Sequence, residues 1–349
     1  MRLRTGSGFI GVGEATLTSP GADYGDRLHH HALRLIGTDA MADGLVGSQA
    51  RRPNLTTRTI LSALDQAIMD IRAQISARPL CLELGGRLPD EALPLYANIN
   101  RATRIRTPAA FAENAKAAAE EGFQAIKIAP FDGLSNDLCD RQEGQDLIDA
   151  GLARIRATRE AAPYCDLMVD CHWRFTAKAA TALLPALREL DVVWLECPLT
   201  ETPDAIPELL KLRRLANHHG MRLCGLETAG SWIDVAAYVQ RGAYDLIMPD
   251  VKHAGGLKTI MEIARQAHAA GTAVSLHNPS GPVAHLFSAH VMAALGSEER
   301  MEIQWNESPL FYEVTDPPPV IEGGGCRPMT TPGLGASLLS GTFQSGASA

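Results

Sequence analysis

The sequence is poor in aromatic residues, only 5% of 349 positions, while Ala, Leu and Gly are plentiful. That balance suits an α/β protein. No uninterrupted apolar run of about 18 residues occurs, so no membrane-spanning helix is expected. No basic run occurs either, and the net charge is −8. An acidic chain of this kind is a poor partner for nucleic acid or an anionic membrane. The seven cysteines (Cys81, Cys139, Cys165, Cys171, Cys197, Cys224, Cys326) include no Cys-x-x-Cys pair and are odd in number. Reduced, buried thiols in a cytoplasmic protein fit this pattern, and a zinc site is not expected. Residues 1–13 lack an apolar core followed by a cleavage site, so no secretory signal is expected.

What is present is enough apolar material, 46%, for one large core or two domains. Residues 8–14 read as a Gly-rich strand and turn. Ile60, Leu61, Leu64, Ile68 and Ile71 recur with a helical period over residues 59–75, and Gly85-Gly86 stops the segment. Residues 93–96 read as a short strand entering a new domain. From about residue 95 a repeat begins: apolar strand, polar residue at its end, loop, amphipathic helix. The strands fall at 125–128, 167–171, 192–195, 222–226, 246–248, 273–276 and 302–304. Helices are expected at 108–121, 145–161, 177–189, 205–216, 232–241, 256–269 and 282–294. Alternation of this kind predicts a parallel sheet with right-handed crossovers, and so many units in succession favour a closed barrel. The expected division is a capping domain over 1–94, a barrel over 95–316, and a Gly-, Pro- and Ser-rich segment over 317–349 that packs back on the first domain or frays.

Catalytic groups of a (β/α) barrel sit at the C-terminal ends of its strands. Those ends carry Lys127, Asp170 with His172, Glu196, Glu227, Asp250, His277 and Glu307. Taken singly, Asp170 reads equally well as a helix cap or turn residue, and His277 as a buried structural histidine. Together they would converge on one rim and repel one another without a counter-ion. Asp170, Glu196 and Glu227 would place hard oxygen ligands around one point, which selects Mg²⁺. Asp250 beside His277 would fix the imidazole tautomer and make His277 a competent base. Lys127 could stabilise a developing enolate.

The order of these residues, with their local strings, resembles the mandelate racemase subgroup of the enolase superfamily. The strings are Ala-Ile-Lys-Ile at Lys127, Val-Asp-Cys-His at Asp170, Trp-Leu-Glu-Cys-Pro at Glu196, Pro-Asp-Val-Lys-His-Ala-Gly-Gly at Asp250, and Ser-Leu-His-Asn-Pro-Ser-Gly-Pro at His277. The resemblance implies a modified (β/α)7β TIM-type barrel with an α+β capping domain built from both chain ends. It implies Mg²⁺ held by Asp170, Glu196 and Glu227, a dyad of Asp250 and His277, abstraction of a proton α to a carboxylate, and a homo-oligomer. The family's racemases carry Lys-x-Lys where this chain has Lys127-Ile-Ala129, so the base for the opposite face is missing. Asp-x-His, with His172, is similar to galactonate and mannonate dehydratases and implies an acid for the departing hydroxyl. On a strand His172 would share the face of Asp170. The implied reaction is dehydration of an aldonate- or aldarate-like sugar acid to a 2-keto-3-deoxy acid. An epimerase or cycloisomerase of a carboxylate, or a non-catalytic binding barrel, are the alternatives. The last-strand acid lies among Glu302, Gln304 and Glu307, and we assign it to Glu307. Lys252 and His253 either touch the site or serve the turn. Specificity is expected from loops at 15–26 and 44–54, with Arg51, Arg52, Asn98, Asn100 and Arg101 as polar candidates. The family usually places a full strand before the Gly-x-Gly-Glu stretch, and here one is expected to be missing.

Overall fold

The computed structural model describes residues 1–17, 21–46 and 53–339. The loop residues Arg51 and Arg52 lie outside them. A short strand does precede the Gly-rich stretch: β1 (Arg2–Arg4) pairs antiparallel with β2 (Ile10–Val12). The helices α1 (Tyr24–Leu33), α2 (Leu55–Ile75) and α3 (Leu80–Glu83) follow. The side chain of Asn54 caps α2 by accepting from Thr57 N at 2.9 Å. Its Ile60, Leu64, Ile68 and Ile71 are all buried, as the period required. β2 lies flat on α2 because Gly11 and Gly13 have no Cβ; one there would collide with the carbonyls of Ala67 and Ala63.

Eight parallel strands then alternate with seven α-helices: β3 (Leu93–Asn98), α4 (Pro108–Glu120), β4 (Ala125–Ile128), α5 (Gln142–Ala161), β5 (Asp166–Asp170), α6 (Ala177–Glu189), β6 (Val192–Glu196), α7 (Ile206–His218), β7 (Arg222–Gly225), α8 (Trp232–Arg241), β8 (Leu246–Ile247), α9 (Leu257–Ala269), β9 (Ala273–Val274), α10 (Pro282–Leu295) and β10 (Met301–Gln304). Residues 93–96, read from sequence as an entry strand, belong to the first barrel strand. The ladder runs from β10 through β3 to β9 in chain order. No ladder among the described residues joins β9 to β10, and side chains span that seam instead. Ser275 Oγ donates to Arg300 O at 2.6 Å, and Asn278 Nδ2 donates to Glu302 O at 2.9 Å.

The chain ends with α11 (Leu310–Glu313), β11 (Thr315–Asp316), β12 (Ile321–Glu322), β13 (Gly325–Cys326) and β14 (Ser337–Leu338). This segment meets both parts of the molecule. β13 pairs antiparallel with β3, while Leu334 N donates to the buried Asp70 of α2 at 2.8 Å. Asp70 also accepts from Val12 N at 3.1 Å, so one carboxylate ties both chain ends to α2. All seven cysteines are buried and free. Among the described residues no helix is long and apolar enough to cross a membrane.

His290 of α10 makes a second knot. Its Nδ1 accepts from Cys81 N at 3.2 Å, which leaves Nε2 to donate to Leu334 O at 3.1 Å. The bond from Cys81 N requires neutral imidazole, and burial pushes its pKa down from 6.5 to about 4, against the opposing pull of Leu334 O. Buried His285 behaves alike, also falling to about 4. Between those two values the unfolded chain binds more protons than the folded one, so stability rises with pH there. Urea titrations are expected to show the protein losing stability as pH falls from 6.5 toward 4, and a His290→Gln variant losing less over the same window. Equal pH slopes in the two proteins would contradict the assignment.

Candidate active site

The pleat sorts the barrel interior into layers, because alternate residues of a strand share a face. Tyr96, Ala125, Met168 and Trp194 form part of an apolar floor. Two residues further along the same strands stand Asn98, Lys127, Asp170 and Glu196, all buried. Asp170 and Glu196 are direct neighbours in the β5–β6 register.

Lys127 is the centre of this polar layer. Its Nζ lies 2.8 Å from Glu196 Oε1 and 2.9 Å from Glu302 Oε1, with all three side chains sealed from solvent. Burial alone would lower its pKa, but Glu196 and Glu302 reverse that and hold it well above the ordinary lysine range. Glu302 takes further bonds from Asn98 Nδ2 at 2.7 Å and Asn278 N at 2.8 Å. Burial opposes its charge, yet Lys127 above all keeps its pKa below the usual glutamate value. Glu196 is pushed the other way, to about 8, by burial; Lys127 opposes the shift, and Asp170, Glu302 and Glu227 add to it.

On the other side of the mouth, His277 Nδ1 is 2.8 Å from Asp250 Oδ2 and its Nε2 is 3.4 Å from Glu227 Oε2. Burial would lower the pKa of His277, but Glu227 and Asp250 raise it to about 9. Asp250 is itself held well below the usual carboxylate range: burial works against this, and Lys252, His253 and His277 overcome it. Lys252 N donates to Asp250 Oδ1 at 2.6 Å, and His253 packs its ring between Asp250 and Thr59 of the cap, 2.9 Å from Thr59 Oγ1. Lys252 and His253 therefore brace the dyad residue.

His172 lies beyond the end of β5, not on it, so the shared-face argument does not apply. A left-handed turn brings it back instead, with its Nε2 2.8 Å from Asp170 Oδ2. The loops after β5, β6 and β7 all use such turns: φ is 48° at His172, 57° at Trp173, 43° at Cys197 and 69° at Leu226. Non-glycine residues are rarely held there, and such strain clusters at functional sites.

Two assignments change. The acid of the last strand that faces Lys127 is Glu302; Glu307 lies beyond the end of β10, half exposed, 3.3 Å from Arg101. The strand expected over 302–304 ends where β10 ends, so Glu307 falls on the loop beyond it and Glu302 is the acid turned inward to Lys127. Asn98 and Asn100 are also structural: Asn100 Oδ1 accepts from Arg106 Nη2 at 2.7 Å. The pivotal Asn278 was overlooked, although it follows His277 directly in the motif and polar residues beside a strand seam have backbone to satisfy.

The set Asp170, Glu196 and Glu227 suits a hard dication in kind: two buried carboxylates and one partly buried, with burial and mutual repulsion raising the pKa of both Glu196 and Glu227. Their full convergence on one point is not met. Among the described residues no group of three or more Asp, Glu, His or Cys side chains is arranged to hold a metal ion. Each acid faces a basic side chain of the protein instead: Glu196 faces Lys127, Asp170 faces His172, and Glu227 faces His277.

An eight-stranded barrel with ionisable groups gathered at its C-terminal mouth and a cap packed on it defines the class as a TIM-type barrel of the enolase kind. Residues 110–340 match the model of the family described as Enolase C-terminal domain-like, and the chain belongs to that family, in the mandelate racemase/muconate lactonizing branch of the enolase superfamily. It is 25% identical to D-xylonate dehydratase of Haloferax volcanii over 97% of this chain and 82% of that protein. It is 27% identical to D-galactonate dehydratase of Variovorax paradoxus over 97% of this chain and 88% of that protein. It is 30% identical to D-gluconate dehydratase of Thermoproteus tenax over 86% of this chain and 60% of that protein. The fold is shared with a mandelate racemase/muconate lactonizing enzyme from Jannaschia, at TM-score 0.83 and 23% identity, covering 97% of this chain and 89% of that one. An enolase-superfamily member from Salmonella typhimurium has TM-score 0.85 at 20% identity, over 98% and 92% of the two chains.

Removing the central cation leaves two buried acids uncompensated. Lys127→Met is expected to destabilise the protein by about 3–5 kcal/mol in urea denaturation. Adding Glu302→Gln to that variant restores part of the loss. A double variant no more stable than the single one would contradict the coupling.

Proposed function

We propose that this chain is a hydro-lyase that dehydrates a sugar acid to a 2-keto-3-deoxy acid. The observation that carries the reading is the single imidazole base at the barrel mouth, His277, held by Asp250 at 2.8 Å and turned toward Glu227. Relatives named as D-xylonate, D-galactonate and D-gluconate dehydratases support the same class of substrate.

The reaction uses the groups as follows. Lys127, held between Glu196 and Glu302, supplies the fixed positive charge toward which the substrate carboxylate is drawn. His277 Nε2, in the neutral form it takes once the charge of Glu227 that raises its pKa is offset, removes the proton from C2, and the electron pair moves into the carboxylate to give an enediolate. Collapse of the enediolate expels the C3 hydroxyl. His172 Nε2 supplies the proton that turns it into water; its pKa is raised chiefly by the charge of Asp170, which favours the proton-bearing form. The resulting enol tautomerises to the 2-keto product. By their chemistry Asp170, Glu196 and Glu227, here turned toward His172, Lys127 and His277, are the residues that would hold Mg²⁺, which when bound would supply positive charge to stabilise the enediolate. Racemisation needs a base on each face. Ala129 stands where a second lysine would be, and Lys127, locked between two carboxylates, is too strongly protonated to serve.

A panel of sugar acids, assayed with Mg²⁺ and semicarbazide, is expected to give a 2-keto-3-deoxy product with at least one member. His277→Asn and Glu196→Gln are each expected to reduce turnover by at least about 100-fold, the lower range of a lost general base. Removing the metal with a chelator is expected to stop the reaction and Mg²⁺ to restore it. Retained turnover in both variants would refute the site. Exchange of the C2 proton with solvent and no 2-keto product would make the enzyme an epimerase.

A further inference from the structure

One carboxylate outside the proton-transfer set touches all three loops that follow the acids of β5, β6 and β7. Glu201 lies on the loop after β6, five residues beyond Glu196, and is partly buried. Its Oε1 accepts from Leu226 N at 2.6 Å, from the Tyr244 hydroxyl at 2.9 Å and, more weakly, from Cys197 Sγ at 3.9 Å. The side chain of Trp173 hydrogen-bonds the same carboxylate, and an indole can only donate. Trp173 lies in the turn after β5, Cys197 in the turn after β6 and Leu226 in the turn after β7.

The three residues share a second property. Each is held in the left-handed region, with φ of 57° at Trp173, 43° at Cys197 and 69° at Leu226. A non-glycine residue keeps that conformation only where its surroundings over-determine it. Backbone bonds join the turns in series: Trp173 N donates to Cys197 O at 2.6 Å, and Cys197 N donates to Cys224 O at 2.9 Å. Glu201 adds a bond to each turn from one point. The strand beside it leaves room for this. Gly225 ends β7, and a Cβ there would stand 2.4 Å from Glu201 Oε1 and 2.9 Å from the ring of Tyr244. A glycine at this place lets the carboxylate come up to Leu226 N. The strained residues also neighbour the acids in the chain. Cys197 directly follows Glu196, Leu226 directly precedes Glu227, and Trp173 comes three residues after Asp170. A change of φ at Leu226 would swing Glu227 away from His277 Nε2, which it now meets at 3.4 Å.

We propose that Glu201 is a positioning residue: its carboxylate sets the three left-handed turns and, through them, the directions of Asp170, Glu196 and Glu227. It touches no reacting atom. The inference rests on the proposed reading for what those three acids do, namely hold Mg²⁺. Groups that orient metal ligands from behind typically carry about 10–100-fold in metal affinity or activity.

The test compares the full chain as wild type, Glu201→Gln, Glu201→Asp and Glu201→Leu. Gln keeps an oxygen acceptor at the same reach without the charge. Asp keeps the charge but falls one methylene short, and Leu removes the acceptor. Each protein is measured for Mg²⁺ binding by calorimetry, for kcat and KM on a sugar acid, and, without metal, for hydrogen exchange at the Trp173 and Leu226 amides. Exchange at both amides is expected to quicken in the Asp and Leu variants and less in the Gln variant. Mg²⁺ binding is expected to weaken at least about 10-fold in the Asp variant and less in the Gln variant, with kcat falling more than KM rises. A purely structural role would lower stability in urea without moving the Mg²⁺ affinity of the folded protein. Should the Leu variant fail to fold, the order of Gln and Asp decides. Exchange unchanged in the Asp variant, or quickened exchange with Mg²⁺ affinity unmoved, would overturn the proposal. Quickened exchange in the Asp variant, lessened in Gln, in a protein whose wild type binds no Mg²⁺ would uphold Glu201 as the holder of the turns and refute the metal reading instead.

Discussion

One buried ammonium group holds the mouth of this barrel together. Lys127 on β4 reaches Glu196 on β6 and Glu302 on β10, with no solvent to screen any of the three. Ions so placed are tolerated only when every one of them is paired and hydrogen-bonded. Glu302 meets that condition through Asn98 and Asn278, and Glu196 meets it through Trp194 Nε1 at 3.2 Å. The arrangement makes Lys127 a fixed charge and not a proton carrier. On the proposed reading, proton removal then falls to one imidazole, on one face.

The same residues that satisfy the central charge also complete the fold. Asn278 follows the base His277 and bonds Glu302 through both its backbone and its side chain, at the seam that no β9–β10 ladder closes. The cap is tied to the site in a similar way. Arg58 of α2 donates to the carbonyls of Thr228 and His253, in the loops that carry Glu227 and brace Asp250. The cap is thus bonded directly to the loops after two strand ends.

Much of this was legible in the sequence because periodicity and strand-end chemistry are local. The seven barrel helices lie within a few residues of their expected positions, and the pairing of His277 with Asp250 follows from adjacent βα units. What escaped depended on which side chains near the strand ends turn inward. β10 ends at Gln304, as expected, and Glu302 within it meets Lys127, while Glu307 falls on the loop that follows. β5 ends at Asp170, so His172 reaches the site by a left-handed turn that no alternation rule foresees. Partnerships across the barrel, such as that of Lys127 with Glu302, join residues far apart in the chain and are set by register and burial together. The pairing of each acid with a basic side chain of the protein, in place of a ready metal cage, was likewise invisible to a count of carboxylates.

The central claim is that His277 removes the proton beside a sugar-acid carboxylate and that water then leaves. The most direct measurement follows a substrate labelled with deuterium at C2. The account predicts a primary isotope effect on kcat/KM, transfer of the label to solvent, and an unlabelled 2-keto-3-deoxy product, all absent in the His277→Asn protein. A product that keeps its deuterium, or loss of the label undiminished without the imidazole, would contradict it.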